Sequence, residues 1–257
     1  MKNAVYKIQM VTGLFLCTLL ISACNNAATP PKNNTPDTSN KIIQINSDLY
    51  TLPLRDQNTE QYNYAVKTSA GIAWLPAPKM SIAPGTEANP FYFPTEPFTF
   101  YLSSPNEKSL AVEKSKKLLT LPLNDGDAVL VVSGVFGLDD YILYHTFSIF
   151  TDGAQPIREQ AWVMKVDDPT SNKEIAQFHS SGGKFYSYAV DEKEKLYLSV
   201  SILPGNADGS YSYEVYIYNL LTGNKEKIND YSLNPSSLDS IQFTYNDKKY
   251  SYKLQSK

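Results

Sequence analysis

Glu214-Val215-Tyr216-Ile217-Tyr218-Asn219-Leu220 is the stretch that decides the fold. Side chains alternate across a strand with a period of two. That alternation sets Val215 and Ile217 on one face and Tyr216, Tyr218 and Leu220 on the other. Both sets are substantially apolar, so the segment reads as a strand covered on both sides. Tyr216, Ile217 and Tyr218 are accordingly expected in the core.

Similar segments extend outward from it. Ala128–Val132 is an unbroken apolar run followed by Val135 and Phe136, and Tyr141–Phe150 is rich in Tyr, Ile, Phe and Thr. Ala161–Val166, Phe185–Val190, Leu196–Leu203, Tyr211–Leu220, Ile241–Tyr245 and Tyr250–Leu254 complete the series. Turn clusters separate them: Thr151-Asp152-Gly153, Asp167-Asp168-Pro169, Asp191-Glu192-Lys193, Pro204 to Ser210, Thr222-Gly223-Asn224 and Asn246-Asp247-Lys248. Short, evenly spaced strands with such turns predict an all-β fold of antiparallel sheets.

The run from Tyr216 through Asn219-Leu220-Leu221-Thr222-Gly223-Asn224 to Lys225 resembles the outer strand and turn of a β-propeller blade. Tyr188 to Tyr197 resembles a blade's inner hairpin. Thr170-Ser171-Asn172-Lys173-Glu174 echoes Thr222–Glu226 at an offset of 52 residues. The resemblance implies propeller-like blades, slightly favoured over a β-sandwich whose sheets each keep a wet face. A second echo has a different period. Leu49-Tyr50-Thr51-Leu52-Pro53-Leu54-Arg55-Asp56 and Leu118-Leu119-Thr120-Leu121-Pro122-Leu123-Asn124-Asp125 match at six of eight positions, 69 residues apart. Each proline lacks a ladder donor, so its strand is an edge or ends there. Duplication and a recurrent way of ending a strand both account for the match, and the two offsets do not share the single period a propeller should have.

Trp74 to Phe98 holds Pro76, Pro78, Pro84, Pro90, Pro94 and Pro97, with Pro105 beyond, which excludes a long helix or a central strand there. Its aromatic residues (Phe91, Tyr92, Phe93, Phe98, with Phe100 and Tyr101 following) are expected to pin an irregular segment to the core. Ser104-Pro105-Asn106-Glu107 has two readings. It is an N-cap with a first-turn proline opening a helix to about Leu119, or a turn between Phe98–Ser103 and Ser109–Val112.

The first forty residues are of another kind. Lys2 and Lys7 precede an apolar run from Ile8 to Ile21, too short and too interrupted by Gln9, Thr12 and Gly13 for a comfortable bilayer span. The run ends in Leu20-Ile21-Ser22-Ala23-Cys24, which resembles the lipobox of bacterial lipoprotein precursors. That resemblance implies diacylglycerol on the Cys24 thiol, cleavage between Ala23 and Cys24, and a mature protein anchored by lipid on the extracytoplasmic face of a cell membrane. Asn25 to Asn40 carries no aromatic or large aliphatic residue and reads as a disordered stalk, roughly 20–25 Å long as a coil. The 217 residues from Lys41 on suffice for one large domain or two small ones.

Composition narrows the function. Without Lys2 and Lys7 the chain has 21 basic against 26 acidic residues, and its only arginines are Arg55 and Arg158. Such a balance argues against nucleic-acid binding. Cys17 lies in the leader, so the mature domain has neither a disulfide framework nor a cysteine zinc site. His145 and His179 form no ligand-spaced pair: His145 is expected on a strand and satisfied by a neighbour, His179 in a loop. Asn206-Ala207-Asp208-Gly209-Ser210 begins like a calcium loop but would place Ile217 where the bidentate acid belongs, so no metal or cofactor is expected. There is no nucleophile elbow and no phosphate loop. Asp139-Asp140 and Asp167-Asp168 fit turns, since adjacent strand residues point to opposite faces.

Tyrosine is the one excess. Tyr186/Tyr188, Tyr211/Tyr213, Tyr216/Tyr218 and Tyr250/Tyr252 each set two rings on one strand face, as core filling or as an exposed sugar-binding row. The expected function is a non-enzymatic, membrane-tethered module for a cell-envelope component or an exported protein. The rival is a lipid-anchored hydrolase of envelope polysaccharide, marked by two carboxylates facing one cleft about 5–10 Å apart. A structural partner in a lipoprotein assembly, marked by a large exposed apolar patch, is the third reading.

Overall fold

The computed structural model describes residues 40–86, 88, 90–151, 158–178, 186–203, 212–234 and 238–256, all within one compact unit, Asp37–Lys257. Ala23, Cys24, most of the stalk, Tyr211, His179 and the loop Asn206–Ser210 lie outside the described residues. Strands β1 (Asn40–Ile45) and β2 (Asp48–Pro53) form an N-terminal hairpin. After a 3-10 turn at Gln57–Tyr62 comes a first sheet of β3 (Tyr64–Thr68), β4 (Gly71–Leu75), β7 (Thr99–Ser103) and β8 (Lys116–Thr120). The small ribbon of β5 (Met80–Ile82) and β6 (Tyr92–Pro94) interrupts it.

The second sheet is a meander of β9 (Asn124–Asp125), β10 (Ala128–Leu138), β11 (Tyr141–Ile149), β12 (Arg158–Lys165) and β13 (Lys173–Phe178). The third repeats the pattern with β14 (Ser187–Asp191), β15 (Leu196–Ile202), β16 (Tyr213–Asn219) and β17 (Lys225–Ile228). A fourth holds β18 (Tyr231–Leu233), β19 (Ser240–Tyr245) and β20 (Lys248–Lys253). The chain then returns, and β21 (Gln255–Ser256) pairs with β14 in the third sheet. The fold is all-β and its sheets are antiparallel, with an isolated parallel bridge joining Thr51 to Ser109. Among the described residues no helix is long and apolar enough to cross a membrane.

Four apolar layers hold the sheets face to face. Strand β4 shows how alternation achieves this: Ile72 and Trp74 pack with Tyr50, Leu52 and Leu110 towards the hairpin, while Ala73 and Leu75 pack with Ile142, Tyr144 and Met164 of the second sheet. The second sheet turns Leu143, Ala161 and Val163 to Tyr188, Tyr197 and Tyr218 of the third. The third sheet turns Leu198, Val200, Val215 and Ile217 to Ile241, Phe243 and Tyr245 of the fourth. Each interior sheet is thus covered on both faces, as a blade is, and any two neighbours taken alone make a sandwich.

Both echoes have structural meaning. Thr170–Glu174 and Thr222–Glu226 occupy equivalent turns, each leading into an edge strand, β13 or β17. The 69-residue echo falls on β2 and β8, strands that end at or just before Leu-Pro and leave Leu52 and Leu121 buried where the chain crosses to its next sheet. Phe98 and Phe100 are core residues, as the proline-rich segment requires. At Ser104–Glu107 the turn prevails over the helix, Glu107 N–H donating to the Ser104 carbonyl at 3.0 Å, but Ser109–Val112 is no strand: Ser109 forms only an isolated bridge, Val112–Lys114 a single 3-10 turn, and the next strand is β8.

One expectation needs correction. Ile217 and Tyr218 are buried on opposite faces, but Tyr216 is only half-buried. Tyr216 is not part of the buried layer that Tyr218 and Leu220 share with the second sheet, and the Lys225 and Lys227 ammoniums of the edge strand lie 4.9 and 5.9 Å from its ring.

Candidate functional site

At one end the layer between the first and second sheets stops being apolar and opens into a pocket of about 380 Å³. Ladder register explains its lining. Tyr144, Thr146 and Ser148 lie at alternate positions of β11 and so share a face. Their partners on β12 are Trp162, Gln160 and Arg158, which share it too. The face becomes progressively more polar along the strands: Tyr144 beside Trp162, then Thr146 beside Gln160, then Ser148 beside Arg158.

Glu174 arrives by an irregularity. The pairing of β12 with β13 shifts between Ala161 and Trp162, so that Ala161 faces Ala176 but Trp162 faces Glu174. A regular ladder would put Ile175 opposite Trp162 and turn Glu174 to the far side. The extra residue buries Ile175 and Ala176 together against the third sheet and delivers Glu174 to the pocket. Bulges commonly re-aim a side chain in this way beside functional sites.

The polar groups hold one another in place. Arg158 Nη1 donates to both oxygens of Asp125, at 2.9 and 3.0 Å, and Ser148 Oγ donates to Asp125 Oδ2 at 2.7 Å. Gln160 Nε2 donates to Glu174 Oε2 at 2.6 Å, and Tyr144 Oη donates to Asn172 Oδ1 at 2.8 Å. Trp162 Nε1 donates to Thr146 Oγ1 at 3.0 Å, which fixes the indole. Tyr144 lies beside it, nearly parallel at 8° with centroids 6.4 Å apart. Burial pushes the Tyr144 hydroxyl above the usual tyrosine range, so it stays protonated and remains a donor. Gln160, Thr146 and Ser148 are buried, whereas Trp162, Arg158 and Asp125 are half-exposed. A rigid, concave, mixed surface of this size suits a small ligand or the end of a larger one.

Other grooves are more open. One of about 620 Å³ runs along Ala65–Ser69 and Val135–Gly137, and another of about 410 Å³ lies on the fourth sheet beside Tyr231, Gln242 and Lys249. Among the described residues neither has a comparable web of fixed polar groups around an aromatic face.

The residues singled out in the sequence fall elsewhere. His145 is buried between the second and third sheets, its Nε2 3.1 Å from Tyr197 Oη and its ring edge-on to Tyr188 at 4.4 Å. That hydroxyl is pushed well up by complete burial, and the cluster is core. Asp139 and Asp140 form the tight turn between β10 and β11, and Asp168 caps the 3-10 turn Pro169–Ser171. Among the tyrosine pairs, Tyr186, Tyr188 and Tyr218 are buried, while Tyr213, Tyr216, Tyr250 and Tyr252 are half-buried. None of these described members forms an exposed row. Among the described residues no three His, Cys, Asp or Glu side chains converge as a metal site.

The pocket residues escaped the reading of the sequence. A signal did exist: in Tyr141–Phe150 and in the strand containing Trp162, the polar residues Thr146, Ser148, Arg158 and Gln160 recur at one parity inside apolar strands. No known protein family matches the chain, and neither does any curated protein or solved structure.

Proposed function

We propose that this chain is a lipoprotein, anchored through Cys24 on the extracytoplasmic face of a cell membrane, that binds a component of the cell envelope without turning it over. The observation that carries the binding reading is the pocket around Trp162, with its aromatic floor and mutually fixed polar walls. Two carboxylates, Asp125 and Glu174, line that pocket, which is the feature that would favour a hydrolase. Asp125, however, spends both oxygens on Arg158 and Ser148. Three bonds to two neighbours hold Asp125 against the wall, where it serves better as a strut than as a nucleophile or general acid.

Two experiments test this. Isolated envelope material should retain the purified mature protein, and Trp162→Ala should weaken retention at least about tenfold, the usual consequence of removing an aromatic anchor. Soluble sugar should not accumulate during the incubation. Retention unchanged by Trp162→Ala would remove the pocket from the proposal, and sugar release abolished by Glu174→Gln would establish the hydrolase instead.

The anchor is tested separately. Wild-type protein should fractionate with membranes and carry lipid mass at Cys24. Cys24→Ser should be released or remain an uncleaved precursor. A wild-type mature mass without lipid contradicts the anchor.

A further inference from the structure

We propose that the ligand of this pocket is a saccharide, seated with the apolar face of a sugar ring on the Trp162 indole and its hydroxyls on Gln160, Asn172 and Glu174. The inference rests on the pocket being a binding site, as proposed above, and it follows from what each group has left to offer.

Charge comes first. Arg158 and Asp125 neutralise each other at 2.9 Å, which leaves Glu174 as the unbalanced charge in the lining. A phosphate or carboxylate ligand would meet that carboxylate, and Arg158, though it bonds Asp125 through Nη1 alone, already has its charge offset there, so anions fit poorly. A quaternary or primary ammonium would be drawn to Glu174. Such cations are usually caged by several ring faces, however, and of the two rings in the lining Trp162 alone is half-exposed, Tyr144 being buried beside it.

Hydrogen-bonding capacity decides between the remaining neutral ligands. Gln160 uses Nε2 on Glu174, which leaves Oε1 as an acceptor; Asn172 accepts from Tyr144 at Oδ1, which leaves Nδ2 as a donor. Glu174 uses Oε2, which leaves Oε1 as an acceptor. The wall therefore presents donors and acceptors side by side on planar groups held in fixed orientations. A sugar hydroxyl is both donor and acceptor, and neighbouring hydroxyls match such a wall. Trp162 has spent its N–H on Thr146, so the indole offers its apolar face. The C–H face of a pyranose suits it, and burying that face supplies the hydrophobic part of the binding. An extended peptide would instead be recognised along an open strand edge through backbone bonds. About 380 Å³ is near the small end of ligand sites, enough for a terminal unit or a short oligomer.

The test is a calorimetric titration of the purified mature protein with short oligomers of N-acetylglucosamine, glucose and galactose. Tetramethylammonium and inorganic phosphate serve as cation and anion probes. At least one oligosaccharide series should bind and compete with envelope material. Trp162→Ala should weaken it about 30-fold, and Trp162→Phe, which keeps an aromatic platform and guards against misfolding, by less than about tenfold. Glu174→Gln keeps an acceptor and removes the charge, so a saccharide should lose only a few-fold.

Failure of every oligosaccharide to bind in the millimolar range overturns the inference. So does binding of tetramethylammonium that disappears with Glu174→Gln, or of phosphate in place of sugar. If envelope material is still held in a Trp162-dependent way while no sugar competes, the saccharide is wrong and the binding reading stands. If envelope material is not held at all, the binding reading itself falls.

Discussion

Gly137→Ala is expected to destabilise the domain by about 3 kcal/mol or more, while Gly134→Ala on the same strand changes stability by less than about 1 kcal/mol. The contrast comes from where the first two sheets meet. A Cβ on Gly137 would lie 2.1 Å from the Lys67 carbonyl oxygen and 3.1 Å from Val66 Cβ, both on β3 of the first sheet. A backbone carbonyl in a sheet cannot swing aside as a side chain can, so β3 and β10 would have to separate. Separation opens the layer that packs Ala73 and Leu75 against Ile142 and Tyr144, and Tyr144 also supports the pocket. A Cβ on Gly134 would meet only the Phe136 ring, at an ordinary 3.6 Å. Urea unfolding of both variants decides the matter, since the midpoint shift at constant slope reads the stability change. Equal stability in the two would mean that the sheets do not approach closely at Gly137.

Ile217→Ala and Tyr218→Ala should each cost about 3 kcal/mol, although their side chains point in opposite directions. Ile217 is 0% exposed in the layer shared with the fourth sheet, and Tyr218 is 6% exposed in the layer shared with the second. Half-exposed strands lose stability from one parity only. Tyr216→Ala, whose ring is covered on one side by lysine stems, should cost about 1 kcal/mol. The Tyr218 hydroxyl has no hydrogen-bond partner among the described residues, so Tyr218→Phe should be neutral or slightly stabilising. If Ile217→Ala is costly while Tyr218→Ala is not, the third sheet has a wet face and the stack ends there.

Long apolar strands were legible because burial on two faces removes the polar parity: β10, β11, β15 and β16 stand within a residue or two of where their composition puts them, apart from the far end of β10, which runs on to Leu138. Two of the edge strands were not. Lys173–Phe178 and Lys225–Ile228 begin with charged residues because one side of each faces solvent, and short polar strands resemble turns. Gly71–Leu75 was hidden for the opposite reason, being five buried residues beside a proline-rich segment that suggested irregular chain.

The pocket was illegible on different grounds. Its residues come from β9 to β13 and from the connections at Leu121-Pro122 and Asn172, and nothing local says that Asp125 will meet Arg158. Glu174 depends on a shift of register by one residue, which no periodicity reveals. The histidines and paired aspartates drew notice because their chemistry is versatile. Burial placed His145 in the core, and turn geometry claimed the aspartates.

That ligand binds on the Trp162 face of the second sheet is a claim with a direct spectroscopic test. The chain contains two tryptophans, Trp74 and Trp162, and hence two indole N–H signals in a proton–nitrogen correlation spectrum. Trp74 is fully buried and donates to Ser103 Oγ at 2.9 Å, a bond remote from the pocket lining. Trp162 donates to Thr146 at the pocket wall. On addition of solubilised envelope fragments, the Trp162 signal should shift and saturate while the Trp74 signal stays in place. A spectrum in which Trp162 does not move while other residues shift would contradict the claim and place the binding surface elsewhere on the stack.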